Sequence, residues 1–73
     1  MTQKKVLVLV ADGSEEMEAV ITIDILRRAQ IHVTVAAVKQ AAPGHVQCSN
    51  GVKLVPDQVL SADLTESHLV SLL

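Results

Sequence analysis

The chain opens with "KKVLVLVADG", and the run from Val6 to Ala11 constrains the fold more than any other stretch. Apolar residues occupy every position, with β-branched valines at alternate ones, and the run stops at Asp12-Gly13. A strand with one wet face alternates polar and apolar residues; an unbroken run is the pattern of a strand buried on both faces, as in parallel sheets. Such a strand needs a layer on each side. Residues 15–29 are predicted to form a helix of about four turns, with Ser14 as its N-cap and Asp12 as the alternative. "IHVTVAAV", Ile31 to Val38, is predicted to be a second strand with Ile31, Val33 and Val35 on one side. Strand, helix, strand with short links is a βαβ unit, whose crossover is expected to be right-handed.

"AAPG" at Ala41 to Gly44 reads as a turn. Asn50-Gly51 is a strong short hairpin signal, with Val46 and Cys48 on one arm and Val52 and Leu54 on the other. Pro56-Asp57 closes the second arm. "QVLSADLTES" reads as a loop or a short helical turn, and "HLVSLL" as the beginning of a further strand. The expected fold class is α/β: a βαβ unit plus hairpin, forming part of a three-layer sandwich around a mainly parallel sheet. With one helix for a doubly buried strand, residues 1–73 are expected to be the front part of one larger domain, completed by a downstream segment of the same or another chain. The alternative is a free-standing two-layer unit.

Composition narrows the function. There is no Phe, Tyr or Trp and the net charge is −2, which disfavours a nucleic-acid interface from this segment. No apolar run approaches a membrane span, and the N-terminus lacks a secretory signal pattern, so a cytoplasmic setting is expected. The single cysteine cannot make an internal disulfide, and His32, His45 and His68 stand apart, so no metal site is expected. There is half a phosphate loop at Asp12-Gly13-Ser14 but no complete glycine-rich motif; the helix N-terminus remains a possible receptor for an anionic substrate group. A flavodoxin-type binding module is therefore the weakest of the functional readings.

Three glutamates open the helix. Glu15 and Glu16 suit its first turn, where acids complement unpaired N–H groups. Glu18 falls between Ile25 and Ala29 in projection, on an arc with Ala19, Ile23 and Leu26 that is expected to face the sheet, whereas Glu16 falls off it. An inward carboxyl above the C-terminal edge of the first strand lies where open α/β sheets bind ligands, and desolvation there tunes a proton-transfer group. The competing reading has Glu18 capping helix N–H groups or pairing with an arginine. Met17, Val20 and Ile21 form a second apolar stripe edged by Asp24, Arg27 and Arg28, which implies a second cover for the helix: the same helix of a second subunit, or later parts of the same chain. Cys48 is either a redox-sensitive thiol near a dimer surface or a small packed hydrophobe.

These residues resemble a known family. "KKVLVLVADGSEEMEAVITIDILRRAQIHVTVAAV" and "VQCSNGVKLVPD" are similar to the opening of the ThiJ/PfpI superfamily, in the branch of the parkinsonism-associated deglycase (DJ-one). The resemblance runs to about Asp63, and "GSEEMEAV" followed by "DILRRA" is its most specific part. It implies a flavodoxin-like sandwich, a homodimer in which the first helix takes part through Met17, Val20, Ile21, Asp24 and Arg28, and a cofactor-free active site on an elbow cysteine. Glu18 matches the family's glutamate against that sulfur; Gly13 and Glu15 are expected to contact substrate. Implied activities are conversion of methylglyoxal or glyoxal to the hydroxy acid and repair of glycated groups, with a non-catalytic oxidative-stress chaperone or redox-sensing dimer as the alternative. The elbow cysteine is expected in a downstream segment, and Cys48 does not match it.

Overall fold

The computed structural model describes residues 4–61 and 69–72. Strand β1 (Lys5–Ala11) leads into helix α1 (Glu16–Arg28), which returns to β2 (His32–Lys39). The hairpin β3 (Val46–Gln47) and β4 (Lys53–Leu54) follows, then β5 (Gln58–Val59) and β6 (Leu69–Leu72). The main sheet has the order β5-β2-β1-β6 with every pairing parallel. The "HLVSLL" run does supply a strand, and it lies beside β1. The stretch read as loop or helical turn instead contains β5, held on the outer edge of β2 by Asp57 N–H to the Val35 carbonyl (2.8 Å) and Leu60 N–H to the Ala37 carbonyl (3.0 Å). The rest of that stretch, 62–67, and His68 lie outside the described residues.

Alternation along the two inner strands decides the core. Val8 and Val10 of β1, with Val33, Val35 and Ala37 of β2, form one cluster with Ala19, Val46 and Cys48. Val6, Ile23, Leu26, Ile31 and Leu54 pack around it. Leu7, Thr34 and Ala36 point to the opposite face and are buried too.

The helix departs from expectation at its start and in its rotation. Its cap is Glu15, not Ser14 or Asp12: the Glu15 carboxylate accepts the N–H groups of Met17 (3.1 Å) and Glu18 (3.0 Å). Ser14 is buried beneath, its Oγ accepting the Ala11 N–H (3.0 Å). The inward stripe is Ala19, Ile23 and Leu26, with Glu16 one turn earlier on the same line. Ile25, expected inside, is 58% exposed, and Ala29 is exposed as well. At the far end, Gln30 adopts φ 65 and donates to the Arg27 carbonyl (3.1 Å), while Ile31 donates to that of Leu26 (3.1 Å). This is a Schellman closure, with Ile31 and Leu26 supplying its usual apolar contact to the core.

The hairpin expected at Asn50-Gly51 is present, and its hydrogen bonds set the loop length. Cys48 N–H meets the Val52 carbonyl (2.8 Å) and Gly51 N–H meets the Cys48 carbonyl (3.0 Å), so Ser49, Asn50 and Gly51 make a three-residue loop. Gly51 has φ 87, whereas Asn50 is not among the residues with positive φ, which fits a type I turn closed by a left-handed glycine.

Candidate functional site

The acids at the C-terminal edge of β1 have separate fates. Asp12 ties the loop after β2 to this edge: its carboxylate accepts the N–H groups of Ala41 (2.6 Å) and Gln47 (2.9 Å). Gly13 donates to the Gln47 carbonyl (2.9 Å), so that N–H is already engaged. Its φ of 94 is what requires glycine, and the space where a side chain would stand is open. Glu15, expected to contact substrate, has both carboxylate oxygens on the helix cap. An external anion at this helix end would have to displace it.

Glu16 is the acid that sequence reasoning misplaced. It is 8% exposed, and its carboxylate receives the hairpin turn. Asn50 N–H reaches both oxygens (3.1 and 3.0 Å), Val52 N–H reaches Oε2 (3.2 Å), and Ser49 Oγ (3.2 Å) and Asn50 Nδ2 (2.9 Å) reach Oε1. Burial pushes its pKa up, but these bonds favour the charged form and outweigh that, holding the carboxyl at about 2 against an ordinary 4.5. The partners lie more than thirty residues downstream, so no local pattern pointed to them.

Glu18, expected to aim inward, is exposed. The stripe through Glu16 and Ala19 fixes which side of α1 meets the sheet, and two positions beyond Glu16 is about 200° around the helix. Glu18 instead joins Glu15, Met17, Ile21 and Thr22 in lining an open depression of about 490 Å³. Its side chain makes no hydrogen bond or ion pair with the described residues, so neither the arginine pairing nor the cap applies.

Cys48 is 4% exposed and packs in the core. Burial raises its thiol pKa, and the negative charges of Glu16, Glu15 and Asp12 add to that. Its environment therefore suppresses the thiolate that redox chemistry needs.

The outer flank of α1 is open. Met17 (66% exposed), Val20 and Ile21 form the expected second stripe, and Ile25 joins them. Asp24 and Arg28 pair along its border at 3.0 Å. A second feature escaped the sequence: Arg27 Nη2 donates to the Val33 carbonyl (3.2 Å) and to Asp57 Oδ2 (3.3 Å), and that same oxygen accepts the Val35 N–H (2.8 Å). Asp57 had signalled only the end of a hairpin arm, since Arg27 is 30 positions away. No helix among the described residues is long and apolar enough to cross a membrane.

Comparison with known proteins places this architecture. The Parkinson disease protein 7 homolog of Danio rerio is 50% identical over 60 residues, which make up 82% of this chain and 31% of the fish protein. The crystal structure of Drosophila melanogaster DJ-1beta matches 97% of this chain and 38% of its own at a TM-score of 0.82 and 41% identity. The crystal structure of the VC2308 protein matches 97% of this chain and 36% of its own at a TM-score of 0.85 and 46% identity. The chain thus spans about a third of the length of these relatives. The parallel α/β arrangement is that of the flavodoxin-like fold shared by these neighbours. With residues 4–72 also matching the model of the DJ-1/PfpI family, the chain belongs to that family.

Proposed function

We propose that residues 1–73 act as the N-terminal part of a single DJ-1/PfpI domain that converts reactive aldehydes such as methylglyoxal without a cofactor, and that Glu18 is its proton-transfer group. The observation that carries this reading is the division of labour among the acids. Glu15 caps the helix, Glu16 holds the hairpin turn and Asp12 ties a loop. Glu18 alone of the four has a carboxylate that the described residues do not use, and it lies on an open depression near the N-terminal end of α1, lined by Glu15, Met17, Ile21 and Thr22; the start of a helix that follows a parallel strand is the end of such a sheet where ligands bind.

In the complete domain, a cysteine thiolate from the downstream segment attacks the aldehyde carbon and forms a hemithioacetal. Glu18 takes the proton from that carbon, leaving an enediol, and delivers it to the adjacent former carbonyl carbon, giving the hydroxy-acyl thioester; water then cleaves the C–S bond, releasing the hydroxy acid and freeing the thiol. The downstream segment covers Glu18 and supplies the desolvation it lacks here. A second copy covers the Met17, Val20, Ile21 flank, making a homodimer. The compartment is the cytoplasm, whose reducing conditions keep the nucleophilic cysteine a free thiol.

The test joins this chain to a downstream segment carrying the elbow cysteine and follows loss of methylglyoxal. Glu18→Gln is expected to lower kcat by about a hundredfold, the usual scale of general acid–base catalysis. Undiminished turnover in that variant removes Glu18 from the chemistry. The exposed flank also fits a client-holding dimer; suppressed client aggregation with no aldehyde turnover in the joined domain favours that reading. Peroxide sensing through Cys48 draws no support from so buried a thiol.

A further inference from the structure

We infer that Asn50 is a site of spontaneous succinimide chemistry, restrained by Glu16, whose reaction unfastens the hairpin from the helix irreversibly. Asparagine is thermolabile, and it is most so before glycine, whose backbone nitrogen is unhindered by a side chain. Here Asn50 precedes Gly51 on an exposed turn open to water. The Gly51 nitrogen, after losing its proton to solvent base, attacks Cγ of Asn50. The Cγ–Nδ2 bond breaks and ammonia leaves, giving a five-membered imide. Water then opens one of the two imide carbonyls to leave aspartate or isoaspartate at position 50, and no oxidant or reductant takes part.

The folded turn opposes each step. The Gly51 N–H is engaged by the Cys48 carbonyl (3.0 Å), which keeps the nucleophile protonated and directed away. The Asn50 carboxamide is fastened through Nδ2 to Glu16 Oε1 (2.9 Å) and to Ser49 Oγ (3.3 Å). The Asn50 N–H is held by both oxygens of Glu16 (3.1 and 3.0 Å). A negative carboxylate at this distance also disfavours a second anion, whether on the attacking nitrogen or on the tetrahedral intermediate. Reaction therefore proceeds from the opened turn. Once it has occurred, the Nδ2 donor is gone and a carboxylate faces Glu16; the isoaspartate branch also adds a methylene to the backbone. The turn cannot close on Glu16 as before.

The experiment incubates the full chain in mildly alkaline buffer and follows the Asn50 peptide by mass, with enzymatic detection of isoaspartate. Three arms are compared: the native chain, the same chain unfolded in urea, and Glu16→Gln. The native chain is expected to react about tenfold or more slowly than the unfolded one, the protection given by a charge-assisted hydrogen bond in a locally opening segment. Folded Glu16→Gln is expected to approach the unfolded rate. Equal native and unfolded rates, or a folded Glu16→Gln as slow as wild type, overturn the inference. Should Glu16→Gln not fold, Asn50→Asp installs the product directly: hydrogen exchange at the Val52 amide is expected to accelerate about tenfold, and wild-type protection there overturns it.

Discussion

The first turn of α1 and the outer flank of the same helix differ in how completely the chain satisfies them. At the first turn, polar groups find partners within the fold: Glu15 takes two helix N–H groups and Glu16 takes four donors from the hairpin. Along the flank, Met17, Val20, Ile21 and Ile25 leave apolar surface in water. Buried hydrogen-bonding groups left without partners cost more than exposed apolar ones, so an isolated chain must satisfy the first region but can leave the second for another surface. Glu18 sits on the boundary, in the helix's acidic opening but on its uncovered side.

The contrast is broken most severely by Glu16→Ala, which removes the common acceptor of the turn. Amide exchange at Asn50 and Val52 is expected to accelerate at least about tenfold, whereas Glu18→Ala leaves those amides unchanged. Acid sharpens the same distinction. The Glu16 pKa is lowered on folding, so its stabilisation is fully present above about pH 4.5 and is lost as pH falls through about 2. Thermal melts across that window are expected to fall steadily for wild type and to lose much of this slope in Glu16→Gln. On the flank, Ile21→Ser is expected to weaken self-association of the completed domain by about tenfold or more, read by sedimentation. In the isolated chain, the same change is expected to shift stability by no more than about 0.5 kcal/mol, as is usual for exposed sites. The smallest effect belongs to Asp24→Ala: its 3.0 Å pair with Arg28 is exposed and one turn apart, and about 0.3–0.5 kcal/mol is the scale of such pairs.

What the sequence disclosed follows the range of the interactions. β1, α1 and β2 were legible because unbroken apolar runs and helical spacing are local signals, and the strand at Leu69–Leu72 showed itself in the same way. β5 was not legible: two residues carry no period, and they are held by the backbone of β2. The rotation of α1 was misread because Ile25 and Ala29 on one side balance Val20 and Ile23 on the other, leaving the apolar arc broad. Glu16 was read as lying off the inward arc because that arc was centred too far toward Ile25 and Ala29, and the donors that hold it belong to a turn far along the chain. Glu18 was matched to a family role from its motif, while its inward direction inherited the error in rotation.

The placement of β6 beside β1 has a consequence for biosynthesis. β1 is made before β6, whose Leu69 lies roughly sixty residues after its partner Val6. At ribosomal speeds of about 5–20 residues per second, that delay is about 3–12 seconds. Until β2 emerges both hydrogen-bonding edges of the apolar β1 are bare, and one stays bare for the rest of the delay; a nascent-chain chaperone would find its best target there.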